Sequence, residues 1–354
     1  MAALFDPLTI RSVTFPNRIW VSPMCQYSAV NGVATSWHDV HIGSFATGGT
    51  GMIMMEATGV VPEGRISTAC LGLWNEEQEL RLIPIVEFAH SMGTKIGIQL
   101  AHAGRKASCL PPWSDHPMAS KEEGGWDCVA PSAISFGGKY PVPKALTISE
   151  IRKLIEEFGD SARRAVRAGF DLVEIHAAHG YLIHQFLSPI SNQRDDKYGG
   201  SFENRTRFIL EIAEEVRAAI PKSMPLFVRI SASDWLDDGW TIDESVELCK
   251  LLKASGVDLI DVSSGGTSSG APVPVGPGYQ VHFAERIRNE SGIATCAVGL
   301  ITEPEQANEI VKSGRADAVM MAREFLRNPR WPLHAAKQLN AEVSWPPQLL
   351  RGKG

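Results

Sequence analysis

A single (β/α)8 barrel with one long insertion after its third strand is the fold class this sequence predicts, on three observations. Eight short apolar runs each lead directly into a polar or Gly-rich stretch. Helix-like segments, with apolar positions three and four apart, alternate with those runs. No shift in composition interrupts the alternation, so one domain over residues 1–354 is expected in place of a doubly wound sheet or two units.

Taken in order, the runs and their exits are as follows. Arg18 to Val21 leads into Ser22-Pro23-Met24-Cys25-Gln26-Tyr27, Met52 to Met55 into Glu56-Ala57-Thr58, and Lys95 to Ile98 into Gln99-Leu100-Ala101-His102. Asp171 to Ile175 opens into His176-Ala177-Ala178-His179-Gly180-Tyr181. The last four runs close at Arg229-Ile230-Ser231, Ser263-Ser264-Gly265-Gly266, Val298-Gly299-Leu300 and Ala322-Arg323-Glu324. Barrels of parallel strands carry their chemistry at the C-terminal strand ends, which makes these exits the candidate site.

Helices are predicted over 76–92, 147–168, 202–220, 242–255, 279–290, 303–313 and 331–339. Three of them stop at a glycine, Gly169, Gly256 and Gly314, with a strand a few residues on. Thr147 with Glu150 and Thr241 with Glu244 place a capping hydroxyl three residues before a carboxylate. The interval from about 101 to 145 is rich in Pro, Gly, Ser and Trp and is too long for a simple connection, so a capping insertion over the pocket is expected there. Residues 340–354 read as a C-terminal tail.

Hydrophobic residues at 44%, charged residues at 21% and a net charge of −6 suit a globular enzyme and provide no basic field for nucleic acid. Cys25, Cys70, Cys109, Cys128, Cys249 and Cys296 lie far apart without a Cys-x-x-Cys, which argues against zinc ribbons and iron–sulfur clusters and for free thiols. No run approaches a membrane span and no apolar leader is present, so a cytoplasmic protein with no membrane partner is expected.

His176 and His179 are two imidazoles at one strand exit, able to bind an anion, donate two hydrogen bonds to a carbonyl oxygen, ligate a metal, or simply pack at a helix start. Glu174 shares the face of His176 by strand alternation and would be a third metal ligand. Tyr181 can supply a proton or sit as an amphipathic residue at the rim. Gln99 and Arg229 offer an amide and a permanent charge suited to a flat heterocycle with imide and carbonyl edges, or form part of a structural ion pair. Val298-Gly299 and Ala322-Arg323 follow the last strands, where such barrels often hold phosphate. No Gly-x-Gly-x-x-Gly fingerprint, phosphate loop or Gly-x-Ser-x-Gly elbow is present, so a nicotinamide cofactor would bind as a passing substrate.

The ordered segments Leu4-Phe5-Asp6-Pro7, Asn17-Arg18-Ile19, Ser22 to Tyr27, Gln99 to Arg105, His176 to Leu182 and Tyr198 to Arg205 resemble, over nearly the whole chain, the old yellow enzyme family of flavin-dependent ene-reductases. Cys25 with Tyr27 is similar to the thermophilic-like bacterial branch. The resemblance implies non-covalent FMN contacted by Ser22, Pro23, Met24, Cys25, Ala57, Gln99, Arg229, Val298, Gly299, Ala322 and Arg323. It implies NADPH, or NADH, as reductant and an α,β-unsaturated carbonyl or nitro compound as substrate. His176 and His179 would hold the substrate oxygen, Tyr181 would protonate the α-carbon, Cys25 would tune the flavin and Tyr27 would touch the substrate. Where the family often has Gly-Arg, this chain has Ala322-Arg323. Arg351 resembles the branch's C-terminal arginine that reaches a neighbouring subunit's pocket, implying a homodimer or homotetramer. The competing readings are a metal-dependent barrel hydrolase or lyase built on the His176/His179 pair, and a barrel that only binds its ligand.

Overall fold

The computed structural model describes residues 3–353. A short antiparallel hairpin, β1 (Leu8–Ile10) and β2 (Val13–Phe15), precedes the barrel. The chain then runs through β3 (Ile19–Val21), α1 (Ser36–Ala46), β4 (Met52–Gly59), α2 (Glu76–Ser91) and β5 (Lys95–Ala101). Two-residue strands β6 (Val129–Ala130) and β7 (Lys144–Ala145) pair within the long interval before α3 (Ile148–Arg167). Next come β8 (Leu172–Ala177), α4 (Leu182–Leu187), α5 (Phe202–Ala219), β9 (Leu226–Ser231), α6 (Ile242–Ala254) and β10 (Leu259–Ser263). The last elements are α7 (Val281–Ser291), β11 (Ala294–Ala297), α8 (Pro304–Lys312), β12 (Ala318–Met321), α9 (Arg323–Arg327) and α10 (Trp331–Gln338). Strands β3, β4, β5, β8, β9, β10, β11 and β12 close into a barrel with every neighbouring pair parallel.

The strands are buried on both faces, which is why they read as continuous apolar runs and not as alternating ones. Outward residues such as Ile53, Ile98, Val173 and Val228 pack beneath the helices. Inward residues Trp20, Met52, Met54, Leu172, Phe227, Leu259, Cys296 and Met320 form a separate cluster with Ile10 and Phe15 of the hairpin. Trp20 and Phe227 lie on opposite sides of the barrel, four strands apart, yet their rings stack at 5.9 Å, so the lumen is filled with side chains. Phe15 lies 4.8 Å from Trp20 and closes that end.

The two capping boxes form as predicted: Glu150 N–H and Glu244 N–H each donate to their threonine hydroxyl at 3.3 Å. Strands β4, β5, β8 and β9 run past the predicted exits, so Ala57, Gln99, His176 and Arg229 stand within the strand ladders and not on loops. The hairpin and helices α1, α4 and α9 were not foreseen. Three-residue strands and a six-residue, wholly buried helix are too short to show a period, and α1 mixes polar and apolar residues on all sides.

Candidate active site

Two residues above the apolar plug, strand alternation turns Gln99, Glu174, Arg229 and Asp261 into the lumen. Gln99 is in register with Glu174, and Asp261 with Arg229. Gln99 Nε2 donates to Glu174 Oε1 at 2.7 Å, which leaves the amide oxygen as an acceptor. Arg229 Nε lies 3.0 Å from Asp261 Oδ2, but the N–H is not aimed along that line, and both Asp261 oxygens, Glu174 Oε2 and Arg229 Nε have no hydrogen-bond partner. Burial pushes Glu174 up to about 8, with Asp261 adding to the shift and Arg229 and Gln99 opposing it. Burial also raises Asp261. One guanidinium therefore serves two carboxylic groups, and at neutral pH Glu174 holds its proton.

One layer higher stand His176, Ser231 and Ser263. His176 is in register with Arg229 and has its Nδ1 approached by Ala178 N–H at 3.4 Å, which assigns the ring proton to Nε2. The His176 and His179 rings meet edge to face at 5.3 Å, and the Tyr181 ring meets His176 at 5.1 Å. His179 has φ +60°; its N–H donates to Ser231 Oγ at 2.9 Å and its Nε2 lies 2.7 Å from Ser263 Oγ. Burial first, then the charge of Arg229, holds both imidazoles well below their ordinary value, so both are neutral. Burial raises Tyr181 well above the usual phenol, so it is protonated.

Gly180, with φ +70°, must be glycine: a Cβ there would lie 2.1 Å from the carbonyl oxygen of Gly266. Behind this turn Gly180 N–H donates to His184 Nδ1 at 2.8 Å, and His184 Nε2 lies 3.0 Å from Asp234 Oδ1. Lys106 Nζ donates to the carbonyls of His179 and Gly266 at 2.7 and 3.0 Å and sits 5.0 Å over the Tyr181 ring. Burial, then Arg105, lowers it to about 8.

Ser22, Arg229, Val298, Gly299, Ala322 and Arg323 line one pocket together with Ser263 and Arg327. Ala322 has φ −106°, outside the left-handed region that favours glycine. Ala57 pairs in register with Gln99, linking β4 to this group. Cys25, half-buried, lies with Cys70 and Glu56, and Tyr27 meets Trp113 of the long interval edge to face at 5.7 Å. Met24 packs against the core, and Pro23 precedes it at the same strand exit. Arg351 is exposed in the turn Pro347–Gly352, and none of the hydrogen bonds or ion pairs described for the site reaches it. His176, His179 and Glu174 do not gather as metal ligands: among the described residues the one group of three ligand atoms within 4.8 Å is Cys25, Glu56 and Cys70. Sequence reasoning missed Asp261, Lys106, Cys70 and the His184–Asp234 pair. Asp261 was detectable, as an acid inside the apolar run Leu259 to Val262.

The fit to a flavin rests on Arg229, a buried guanidinium with an unpartnered Nε, at the edge of a pocket that also holds Arg323. A parallel barrel with that mouth belongs to the flavin oxidoreductases, and residues 3–342 match the NADH:flavin oxidoreductase / NADH oxidase family, to which the chain belongs. It is an FMN-dependent NADH/NADPH oxidoreductase of the old yellow enzyme type. It is 49% identical to an NADPH dehydrogenase of Geobacillus thermodenitrificans, covering 99% of this chain and 98% of that one. It is 47% identical to an NADPH dehydrogenase of Bacillus subtilis over the same shares. Among solved structures, morphinone reductase in complex with tetrahydroNAD superposes with a TM-score of 0.79 at 28% identity, covering 98% of this chain and 93% of that one. No helix of the described residues is long and apolar enough to cross a membrane.

Proposed function

We propose that the chain reduces the activated C=C bond of α,β-unsaturated carbonyl or nitro compounds at the expense of NADPH. The single observation that carries this reading is the pair of neutral imidazoles, His176 and His179, beside a protonated Tyr181 above the Arg229 layer. Bound FMN, with NADPH as reductant, would supply the hydride chemistry, and the residues around it would bind and orient the alkene. Two neutral donors at one oxygen stabilise the enolate or nitronate charge that develops, with no pre-existing ion pair to disrupt. Ser263, by donating to Nε2 of His179, would leave the Nδ1 proton for that oxygen. Tyr181 then protonates the α-carbon, its phenol kept in the acid form by burial.

Arg229 and Gln99 would face the pyrimidine edge of FMN, and Ser22, Pro23, Met24, Cys25 and Ala57 would contact its ring. Val298, Gly299, Ala322 and Arg323 would hold its phosphate. The long interval carrying Trp113 serves as the wall over Tyr27. A homodimer or homotetramer in which Arg351 of one copy enters its neighbour's pocket completes the reading; Arg351→Ala would then raise KM for the enone while leaving sedimentation unchanged.

The test is a titration of oxidised enzyme with p-hydroxybenzaldehyde. Replacing His176 and His179 with Ala should weaken phenolate binding roughly hundredfold, as two charge-assisted hydrogen bonds are lost, with FMN still bound. Unchanged affinity would remove the pair from the oxyanion role. Tyr181→Phe should slow reoxidation by 2-cyclohexenone and spare reduction by NADPH; equal slowing of both would take Tyr181 out of proton donation.

A further inference from the structure

Beside the flavin pocket lies a second cluster that shares only Cys25 with the residues proposed to contact FMN. In β4 the pairing register with β5 shifts between Met55 and Ala57, so Glu56 is the bulged residue. Its carboxylate is buried and accepts from Gln26 N–H at 3.2 Å on Oε2. His38 is equally buried; its Nδ1 accepts from Thr35 N–H at 3.0 Å, so the proton is on Nε2. That Nε2 lies 3.3 Å from Glu56 Oε1 yet has no hydrogen-bond partner in line. The thiols of Cys25 and Cys70 complete the group, with all three potential ligand atoms within 4.8 Å of one another.

We propose that Cys25, Glu56 and Cys70 form a binding site for one thiophilic divalent cation, Zn2+ or Cd2+. Two sulfurs and a carboxylate oxygen are a common zinc donor set, and a tetrahedral ion at usual bond lengths needs donor separations of about 3.5–3.8 Å, a small contraction from the present spacing. Cys25 is the partly exposed member of the three. His38, its free Nε2 proton facing Glu56, is placed to hold the carboxylate as an outer partner of the ion. The guanidinium of Arg65 donates hydrogen bonds to the carbonyls of Pro62 and Thr68. Coordination releases one proton from each thiol to solvent and moves no electrons. The proposal goes beyond the reductase reading and does not depend on it.

The experiment titrates the purified full-length protein, reduced and then freed of reductant, with Cd2+, in both flavin-bound and flavin-stripped forms. Equilibrium dialysis with metal analysis should give one ion per chain, with sulfur-to-cadmium charge-transfer absorption that EDTA removes. Cys70→Ala and Cys70→Ser should each weaken binding roughly hundredfold or more, while Cys249→Ala retains it; two variants with unchanged circular dichroism guard against misfolding. Absence of a stoichiometric ion in the wild-type chain, or wild-type affinity in both Cys70 variants, would overturn the site. So would a spectral change reversed by a thiol reductant and not by EDTA, which would mean a Cys25–Cys70 disulfide. Bleaching by NADPH and recovery with enone are read separately, so loss of either reading leaves the other standing.

Discussion

The two ends of the barrel lumen are built on opposite principles. At the closed end Phe15, Trp20 and Phe227 fill the space with hydrocarbon, ring against ring, beneath the hairpin. At the open end, two to four residues further along the same strands, the lumen holds a guanidinium, two carboxylic groups and the His176 imidazole, several with unpartnered atoms, and His179 follows just past the end of β8. Burying such groups costs free energy and burying the aromatic rings contributes it. The strands therefore carry their stability at one end and their chemistry at the other, as parallel barrels do generally.

The strongest way to test that division is Phe227→Ala. The cavity should cost about 3–5 kcal/mol in chemical denaturation, while the folded protein keeps its FMN content. A variant that stays equally stable but loses flavin would break the contrast. Next, Gly180→Ala forces a Cβ onto the Gly266 carbonyl at a left-handed φ. The expected cost is about 1–3 kcal/mol, together with a displaced His179 and weaker phenol binding; full retention of phenol affinity would show that the turn does not position the imidazole.

Glu174 sharpens the comparison through pH. Its folded value of about 8 lies above the unfolded one of about 4.3, so between them the native state binds a proton the unfolded state has lost. Stability should fall as pH rises through that window, by up to about 1.4 kcal/mol per unit. Glu174→Gln removes the term, so urea midpoints of the flavin-free variant should gain on wild type from pH 5 to pH 8. Parallel curves would show that Glu174 is ionised throughout. The smallest effect is expected far from both ends: Thr241→Ala removes the α6 cap, costing about 1 kcal/mol in thermal unfolding with no change in turnover.

The alternation of strand and helix, the capping boxes at Thr147 and Thr241 and the location of Gln99, His176 and Arg229 were all legible in the sequence, because each depends on spacing within a few residues. Asp261 was hidden as a functional residue by sitting mid-strand, where only its register opposite Arg229 gives it a role. Cys70 and Glu56 are fourteen positions apart and gave no ligand spacing. Lys106 is turned onto the Tyr181 ring by a 3-10 turn that has no period to read.

By itself the sequence determined the barrel and which strand ends bear polar groups, since hydrophobic period and helix termination are local properties of the chain. Closure of the sheet decided the rest. It set Glu174 and Asp261 against a single arginine, kept the imidazoles neutral by burial, and brought Cys25, Glu56 and Cys70 together, because desolvation and distance across a lumen exist only once distant strands share an interior.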